Sequence, residues 1–519
     1  MLKLLLSLLS LAACVLGSDL PAIEKKGSKF FFSNGTQFFL KGVGYQQDSS
    51  AAGATTNSTT FVDPLADEDR CKVDVPLLAQ LGTNIIRTYA IDPTANHSVC
   101  MQLLNDAGIY VISDLSEPNL SIDRSDPQWN VELFTRYKNV VDEMAQYTNV
   151  LGFFAGNEVS NQANNTNASA YVKAAVRDTK KYISDKNYRW MGVGYAANDD
   201  VDIRDQIASY FNCGDSDDSI DFFGYNIYSW CGDSDFETSG YNRFIEEFED
   251  YSIPVFFAEY GCNLPDGAAA RTFEETTALY SSNMSSVVSG GIVYEYFQET
   301  NDYGLVKVSS GSVTKLKDFT YLQKKVRAAD PDGVKMSSYT SSNKAASCPT
   351  VNSTWTANSK LPPTPQQAAC TCMVKASGCV PKDGLASSKY SAIFDYVCGK
   401  NETLCGGING NATTGVYGTY SMCNSVDKLA YVLNAYYESQ GKDSSACDFD
   451  GKAQTQTASS GSNCTELAVS GNTTSSDNSS SSESMGTLTV AISRPFAVFG
   501  IDMSLVSIVA LVGAGFLFI

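Results

Sequence analysis

Two glutamates in this 519-residue chain stand where catalysis explains them better than packing does. Glu158 ends an almost wholly apolar run that begins at Leu151, and Glu259 ends a second run that begins at Val255. Such runs are typical of strands buried on both faces of a parallel sheet. Either glutamate alone could be a buried, paired residue. Two carboxyls at two strand tips instead suggest the acid/base and the nucleophile for cleavage of a glycosidic bond.

Other catalytic groups are scarce. The single histidine, His97, lies in the glycosylation sequon Asn96-His97-Ser98 and is therefore expected at the surface. An exposed histidine argues against a Ser-His-Asp triad, a Cys-His dyad and a histidine-rich zinc site. The segment from Gly192 to Ala197 matches a dinucleotide fingerprint only weakly, and we interpret it as a strand end followed by a loop. We expect carboxylate chemistry with no metal and no cofactor.

A regular alternation of strands and helices must position the two glutamates. Strand-like runs are predicted at 38–45, 84–89, 110–115, 151–158, 190–194, 222–228, 255–259 and 292–297. Apolar residues at helical spacing predict helices at 69–81, 131–147, 170–182, 244–251 and 276–288. This rhythm predicts an α/β fold, a (β/α)8 barrel, although a doubly wound sheet would look similar. Strand count and the two carboxylates favour the barrel, in which Glu158 and Glu259 end the fourth and seventh strands on opposite sides of the mouth.

Both ends of the chain have the composition of processing signals. Residues 1–17 predict a secretory signal peptide, and residues 487–519 predict the propeptide of a GPI anchor attached at Ser484. A C-terminal transmembrane helix is the alternative for the apolar tail. Of the 15 cysteines, Cys14 leaves with the signal peptide, and the even number that remains indicates an oxidising compartment. The formal net charge of −20 argues against nucleic acid as a partner.

The composition changes after the predicted barrel, which we place at 18–345. Prolines mark a linker at 346–369, and a small, disulfide-rich, mainly helical module follows at 370–464. A Ser-rich stalk is predicted at 465–486. The module carries eight cysteines: Cys370, Cys372, Cys379, Cys398, Cys405, Cys423, Cys447 and Cys464.

Taken together, the motifs resemble fungal β-1,3-glucanosyltransferases of glycoside hydrolase family 72, in the form that carries a cysteine-rich carbohydrate-binding module of family 43. The matching stretches are 41–46, 87–92, 114–118, 156–159, 224–232 and 257–262. The resemblance implies that Glu158 is the acid/base and Glu259 the nucleophile. It also implies a set of sugar-binding or nucleophile-flanking residues, namely Gln46, Tyr89, Asp114, Asn157, Tyr228 and Tyr296, with Tyr294 as the alternative to Tyr296.

The same resemblance implies three disulfides in the barrel and leaves the pairing within the module open. The implied pairs are Cys71 with Cys100, Cys213 with Cys348, and Cys231 with Cys262. Because the second pair leaves only a short connection before Cys370, we expect the barrel and the module to dock. The module itself either binds β-1,3-glucan through exposed aromatics or mainly braces the barrel.

The implied activity is transfer of β-1,3-glucan: cleavage of an internal linkage and addition of the new reducing end to the non-reducing end of another chain. A retaining endo-β-1,3-glucan hydrolase is the first alternative, and a non-catalytic glucan-binding wall protein is the second. Acceptor sites are expected from aromatics near the mouth, namely Tyr45, Tyr89, Tyr228, Trp230, Tyr260 and Tyr296. We expect a monomer on the outer face of the plasma membrane and in the cell wall, with donor and acceptor glucan chains as its partners.

Overall fold

The computed structural model describes residues 19–47, 61–309, 311–459 and 464–469. The predicted signal peptide, most of the predicted stalk, and the GPI propeptide with Ser484 lie outside these residues. None of the helices within the described ranges is long and apolar enough to cross a membrane.

Eight parallel strands close into a barrel in sequence order, which confirms the predicted (β/α)8 fold. The strands are β1 (Leu40–Gly44), β2 (Ile85–Thr88), β3 (Tyr110–Asp114), β4 (Val150–Asn157), β5 (Gly192–Asn198), β6 (Phe223–Asn226), β7 (Val255–Tyr260) and β8 (Val288–Val293). β8 pairs with β1, so the doubly wound alternative is wrong. Because all eight strands run in the same direction, the residues at their C-terminal ends gather at one face of the barrel.

Helices surround the barrel, and two of them have well-defined caps. They are α1 (Glu68–Leu81), α2 (Ser98–Asp106), α3 (Val131–Met144), α4 (Ala168–Asp185), α5 (Arg204–Asn212), α6 (Tyr241–Phe248), α7 (Glu274–Leu279), α8 (Ser282–Ser285) and α9 (Lys317–Ala328). The Asn130 side chain accepts a hydrogen bond from the Leu133 N–H and so caps α3. Gly82 ends α1 in the left-handed conformation, with φ of 91°.

The interior of the barrel is filled with apolar side chains, and a small sheet closes its lower end. Inward residues such as Ile112, Phe154 and Ile292 are buried in one cluster. Phe30 belongs to an antiparallel three-stranded sheet, Glu24–Lys26, Lys29–Phe31 and Gln37–Phe38, and its ring lies 6.1 Å from that of Phe222. With this end closed, a polymer can approach the barrel axis only from the C-terminal ends of the strands.

Two predicted elements are displaced in the structure. The eighth strand was predicted at 292–297 but ends at Val293, and the helix predicted at 276–288 is two short helices, α7 and α8. Gly290 and Gly291 lie inside β8, which therefore begins at Val288, four residues before its predicted start at 292. A side chain at Gly290 would come within 2.2 Å of the Leu40 carbonyl oxygen, so glycine here permits close strand contact rather than ending the strand.

His97 is buried, so its expected exposure is wrong. Its side chain is 0% exposed, with Nδ1 2.8 Å from Glu143 Oε1 and Nε2 2.8 Å from Asp63 Oδ2. Its two neighbours in the sequon, Asn96 and Ser98, face solvent. Burial lowers the pKa of His97, but the hydrogen bonds to Asp63 and Glu143 outweigh it and leave this pKa raised.

The C-terminal module is helical and packs against the barrel. It contains α10 (Gln367–Ala376), α11 (Tyr390–Lys400), α12 (Ser425–Ser439) and α13 (Cys464–Val469). The Val131 N–H at the start of α3 donates to the Met422 carbonyl at 3.0 Å, and the neighbouring Glu132 N–H donates to Asn424 Oδ1 at 3.1 Å. Val131, Met373 and Met422 share one buried cluster, so the docking is apolar as well as polar.

Seven disulfides join the described cysteines. Those of the barrel are Cys71–Cys100, Cys213–Cys348 and Cys231–Cys262. Those of the module are Cys370–Cys423, Cys372–Cys464, Cys379–Cys447 and Cys398–Cys405. Cys213–Cys348 fastens the linker beside α5, where the Tyr210 hydroxyl also donates to the Asn358 carbonyl at 2.7 Å.

Candidate active site

Glu158 directly follows β4 and adopts an unusual backbone conformation. Its φ is 48°, in the left-handed region, which costs a non-glycine residue on the order of 1 kcal/mol. Two hydrogen bonds hold it there: its N–H donates to the Ala196 carbonyl at 2.8 Å, and its own carbonyl accepts from Arg124 Nη2 at 2.7 Å. The side chain is half-buried, and Oε1 accepts from Asn226 Nδ2 at 2.7 Å.

Glu259 lies in β7 and is more deeply enclosed, with 8% of the residue exposed. Its Oε1 lies 3.2 Å from Arg87 Nη1, and its Oε2 accepts from the Tyr228 hydroxyl at 2.8 Å. Burial raises the pKa of Glu259, while the Arg87 cation and the Tyr228 hydrogen bond lower it, and the net shift is upward. The carboxylate form therefore depends on these two donors.

Arg87 is the centre of the hydrogen-bond network beneath the cleft. Its guanidinium is fully buried and forms a two-pronged ion pair with Asp114, with both contacts at 3.1 Å. Nη2 also donates to Asn157 Oδ1 at 3.0 Å. The Tyr89 and Phe154 rings lie 4.3 Å and 4.5 Å from the guanidinium carbon. These contacts fix the cation beside Glu259, where a flexible amine would have several positions.

Hydrogen bonds connect the two glutamates to each other. Asn226 Nδ2 donates both to Glu158 Oε1 and, at 3.0 Å, to Asn157 Oδ1. Asn157 in turn accepts from Arg87, which contacts Glu259. The two carboxyls thus lie at opposite ends of one rigid polar path, and Glu158 is near enough to raise the pKa of Glu259.

Tyrosine rings enclose the nucleophile position. The Tyr294 ring packs edge-to-face against those of Tyr89, Tyr228 and Tyr303, at centroid distances of 6.1, 6.4 and 5.3 Å. The Tyr89 hydroxyl is buried and makes no hydrogen bond of good geometry within the described part of the chain. This group of rings, Tyr89, Tyr228, Tyr294 and Tyr303, is called the tyrosine cage below.

Comparison with known proteins places the chain in a family. The family model for the glucanosyltransferases of glycoside hydrolase family 72 matches residues 12–330. The chain belongs to this family. A second model, for the X8 domain, matches residues 377–454 and identifies the disulfide-rich module as an X8 domain.

Similar proteins cover most of this family 72 chain. A 1,3-beta-glucanosyltransferase of Arthroderma benhamiae is 55% identical over 441 residues, which are 84% of this chain and 80% of that protein. The 1,3-beta-glucanosyltransferase gas1 of Schizosaccharomyces pombe is 48% identical over 88% of this chain and 83% of its own length. The structure of Saccharomyces cerevisiae Gas2p in complex with laminaritetraose and laminaripentaose superimposes with a TM-score of 0.77 at 43% identity, covering 87% of this chain and 98% of Gas2p.

Two of the predicted sugar-binding residues have their polar groups occupied by protein partners. The Gln46 amide donates to the Val62 carbonyl at 2.6 Å and accepts from the Tyr89 and Ala90 N–H groups. Asp114 uses both oxygens on Arg87. Both residues hold other parts of this family 72 site in place, and their binding of sugar stays a prediction. Asn157 remains half-exposed beside Glu158.

Tyr296 does not line the cleft, so its predicted stacking on glucose is wrong. The residue is 0% exposed, and its hydroxyl donates to Asp74 Oδ1 at 2.9 Å. Tyr296 lies three residues beyond the end of β8, where its N–H donates to the Gly44 carbonyl at 2.9 Å and its ring packs against that of Tyr45. Tyr294, the alternative, is the half-buried ring in the cage.

Three other predicted acceptor aromatics are also buried. Tyr45 donates to Asp74 Oδ2 at 3.0 Å, and the Tyr260 hydroxyl lies 3.1 Å from that of Thr276. Trp230 packs on Tyr241, with ring centroids 5.2 Å apart. None of these three rings offers a sugar an open face.

Three residues of the site were not given a role by the sequence: Arg87, Asn226 and Tyr303. The first two carry a usable signal, since each is a polar residue near the C-terminal end of an otherwise apolar strand, as the two glutamates are. Tyr303 lies in a loop after β8, and only the fold brings it beside Tyr228.

Two cavities that share a lining residue adjoin the site, and together they are called the groove below. A cavity of about 390 Å³ is lined by Tyr89, Asn157 and Arg124, and a second of about 760 Å³ is lined by Asp63, Asp92 and Arg136. Glu117 borders both cavities, so they are neighbours along the catalytic face. Within the described ranges, no group of three or more His, Cys, Asp or Glu side chains is arranged to hold a metal ion.

Proposed function

We propose that this family 72 glucanosyltransferase cleaves an internal β-1,3-glucan linkage and joins the new reducing end to the non-reducing end of a second chain. The observation that carries the proposal is the pair of carboxyls at the ends of β4 and β7, which share one polar network but have different surroundings. Glu259 contacts the Arg87 cation and the Tyr228 hydroxyl, which stabilise the ionised form that acts as the nucleophile. Glu158 is more open and contacts only a neutral amide through its side chain.

In the first step, a Glu259 carboxylate oxygen attacks the anomeric carbon as the glycosidic C–O bond breaks. Glu158 gives its proton to the departing oxygen, and a covalent glucosyl ester remains on Glu259. Tyr228 and Arg87 stabilise the carboxylate before attack and again when it leaves. Arg124 and the Ala196 carbonyl hold the Glu158 backbone, so that the acid lies on the leaving-group side.

In the second step, the Glu158 carboxylate removes the proton from the 3-hydroxyl of the acceptor glucan. The resulting oxygen attacks the same anomeric carbon, the ester bond breaks, and Glu259 returns as a carboxylate. Two displacements preserve the β configuration.

Water could replace the acceptor, which would make the protein a hydrolase. The groove beyond the tyrosine cage favours transfer, because a bound acceptor has a far higher effective concentration than a free one. Incubating the enzyme with a reduced β-1,3-gluco-oligosaccharide and sizing the products separates the alternatives. Longer chains than the substrate support transfer, only shorter chains indicate hydrolysis, and an unchanged substrate indicates a binding protein.

Two variants test the assigned roles. Glu158→Gln and Glu259→Gln each keep the side-chain shape but remove the acid or the nucleophile, so each should lose most of the activity. A matched control is Glu247→Gln, which changes a half-buried carboxyl in α6 that lines neither cavity of the groove. Near-native turnover by either active-site variant would remove that residue from its proposed role.

We further propose that the protein acts outside the cell, tethered by a glycolipid at Ser484. The predicted export signal, the predicted propeptide and the seven disulfides support this location. Phospholipase treatment of membranes should release the protein. Detection of residues 487–519 on the mature protein would instead support a transmembrane helix.

A second candidate function concerns the X8 domain, which we propose binds glucan in addition to bracing the barrel. Tyr396, Tyr436 and Phe449 form a cluster with ring centroids 5.5 to 6.0 Å apart, beside a cavity of about 430 Å³. Tyr396 is 46% exposed, which is unusual for a ring that only supports packing. Tyr396→Ala should reduce retention of the whole protein on insoluble β-1,3-glucan while leaving turnover of a short oligosaccharide unchanged. Unchanged retention would favour bracing alone.

A further inference from the structure

A third carboxyl, Glu295, is buried next to the tyrosine cage and has no place in the double displacement. It lies two residues beyond the end of β8, on the catalytic face, and is 3% exposed. Its backbone is fixed, since its N–H donates to the Tyr303 carbonyl at 3.1 Å and its carbonyl accepts from the Leu305 N–H at 3.1 Å. Burying a carboxyl in this way is costly unless the group is neutral or fully paired.

The side chain of Glu295 is directed at the hydroxyl end of Tyr294. Asn301 Nδ2 donates to Glu295 Oε1 at 2.8 Å and contacts the Tyr294 hydroxyl at 3.4 Å. Asn301 therefore joins the two side chains, and burial, followed by the nearby charge of Glu295, raises the pKa of Tyr294. Glu295, Asn301 and Tyr294 thus form one small cluster at the edge of the cleft.

The charges around Glu295 favour its neutral form. Burial, the largest effect, raises the pKa of Glu295 to about 8, with further increases from the negative charges of Glu299 and Glu259. The hydrogen bonds from Asn301 and Tyr294 oppose this increase only in part. The cation of the neighbouring loop, Arg271, is paired with Asp318 at 2.6 Å and donates to the Tyr294 and Tyr303 carbonyls.

We infer that Glu295 is a positioning residue for the family 72 reaction. Its protonated carboxyl donates a hydrogen bond to the Tyr294 oxygen, which leaves the Tyr294 O–H free to donate to the bound glucan. This inference rests on the function proposed above. When Glu295 loses its proton it becomes an acceptor only, and the Tyr294 O–H then donates its hydrogen bond to the Glu295 carboxylate. The sugar loses one hydrogen-bond donor, and a second negative charge stands near Glu259.

Binding at different pH values tests the inference without interference from catalysis. The protein carries Glu158→Gln, so that it cannot turn over and Glu158 cannot titrate. Isothermal titration calorimetry with a β-1,3-gluco-tetraose is performed from pH 6 to pH 9. We expect the affinity to fall roughly three- to tenfold across pH 8, the loss of about one hydrogen bond. Adding Glu295→Gln, which cannot ionise, should abolish this fall.

Tyr294→Phe on the same Glu158→Gln background is the second variant. It removes the hydroxyl that Glu295 controls, so its affinity should be lower at pH 6 and independent of pH around 8. It also serves if Glu295→Gln does not fold, which thermal unfolding monitors.

Two results would overturn the inference. One is an undiminished fall in affinity across pH 8 in the Glu295→Gln variant. The other is an undiminished fall in the Tyr294→Phe variant, because Glu295 would then act through its charge and not through Tyr294. Absence of binding at pH 6 in the protein carrying Glu158→Gln alone would count against the proposed substrate. That failure of the proposed function differs from the two results above, in which the glucan binds at pH 6.

Discussion

Replacing Arg87 with methionine should remove the cation that keeps Glu259 ionised. At the observed 3.2 Å, the attraction between the two charges is about 5 kcal/mol for an effective dielectric constant near 20. Burial already raises the pKa of Glu259, and Arg87 lowers it. Without Arg87, the pKa of Glu259 should rise further, so that a smaller fraction of the carboxyl is ionised at pH 6. We expect kcat/KM at this pH to fall by about 10³-fold or more.

The pH dependence distinguishes this cause from general damage to the fold. In the methionine variant the acid limb of kcat/KM should move to higher pH, because more alkali is needed to ionise Glu259. Arg87→Lys retains a charge but loses the two-pronged contact with Asp114, so it should show a smaller shift and a smaller loss. Product sizing with a reduced β-1,3-gluco-oligosaccharide gives the rates.

Arg136→Met is the matched control for Arg87→Met. Arg136 is another buried arginine of the barrel, and it donates to the carbonyls of Leu115 and Ile91 rather than to either glutamate. This variant should lose stability without moving the acid limb. A folded Arg87→Met protein with the acid limb of the wild type would refute the reasoning. If it does not fold, the lysine variant makes the same test.

Three further predictions concern stability. The pKa of His97 is raised in the folded state, so its ion pairs stabilise the fold fully below pH 6.5 and are lost as the pH rises through the folded-state pKa. His97→Gln should therefore flatten the dependence of the melting temperature on pH between 6 and 9. An unchanged slope would contradict this. Replacing both Cys231 and Cys262 with serine opens a loop of 31 residues and should lower the free energy of unfolding by about 3–4 kcal/mol, measured by denaturant titration. A loss below about 1 kcal/mol would show that other contacts hold this loop. Tyr296→Phe removes a buried hydrogen bond to Asp74 and should lower the free energy of unfolding by about 1–2 kcal/mol while leaving transfer activity unchanged. A loss of transfer activity without a loss of stability would instead indicate that Tyr296 contacts the glucan.

The two glutamates could be predicted because their positions follow from the fold. In a parallel barrel, every strand ends at the same face, so carboxyls at the tips of two long apolar runs must point toward one opening. The eight-strand count follows from the same runs. Arg87 and Asn226 end similar runs, and applying the same argument to them would have suggested a role for both.

The errors came from features that only tertiary contacts decide. Tyr296 lies three residues beyond the end of β8 rather than within the strand, and its hydroxyl contacts Asp74 of α1 instead of the cleft. His97 is adjacent to an exposed Asn96, yet its ring turns inward to two carboxylates from distant segments. No local sequence pattern indicates that His97 contacts Glu143, which lies 46 residues further along the chain.

The Cys213–Cys348 bridge also has a consequence for how the protein is made. Its partners are 135 residues apart, and β6, β7 and β8 lie between them. At about 5–20 residues per second, ribosomes deliver the second thiol roughly 7–30 s after the first. Cys231 and Cys262 emerge during this interval, so Cys213 encounters two foreign thiols before its own partner. We therefore expect secretion yield to depend on oxidoreductases of the secretory pathway that exchange such pairings, more than on the speed with which the barrel packs.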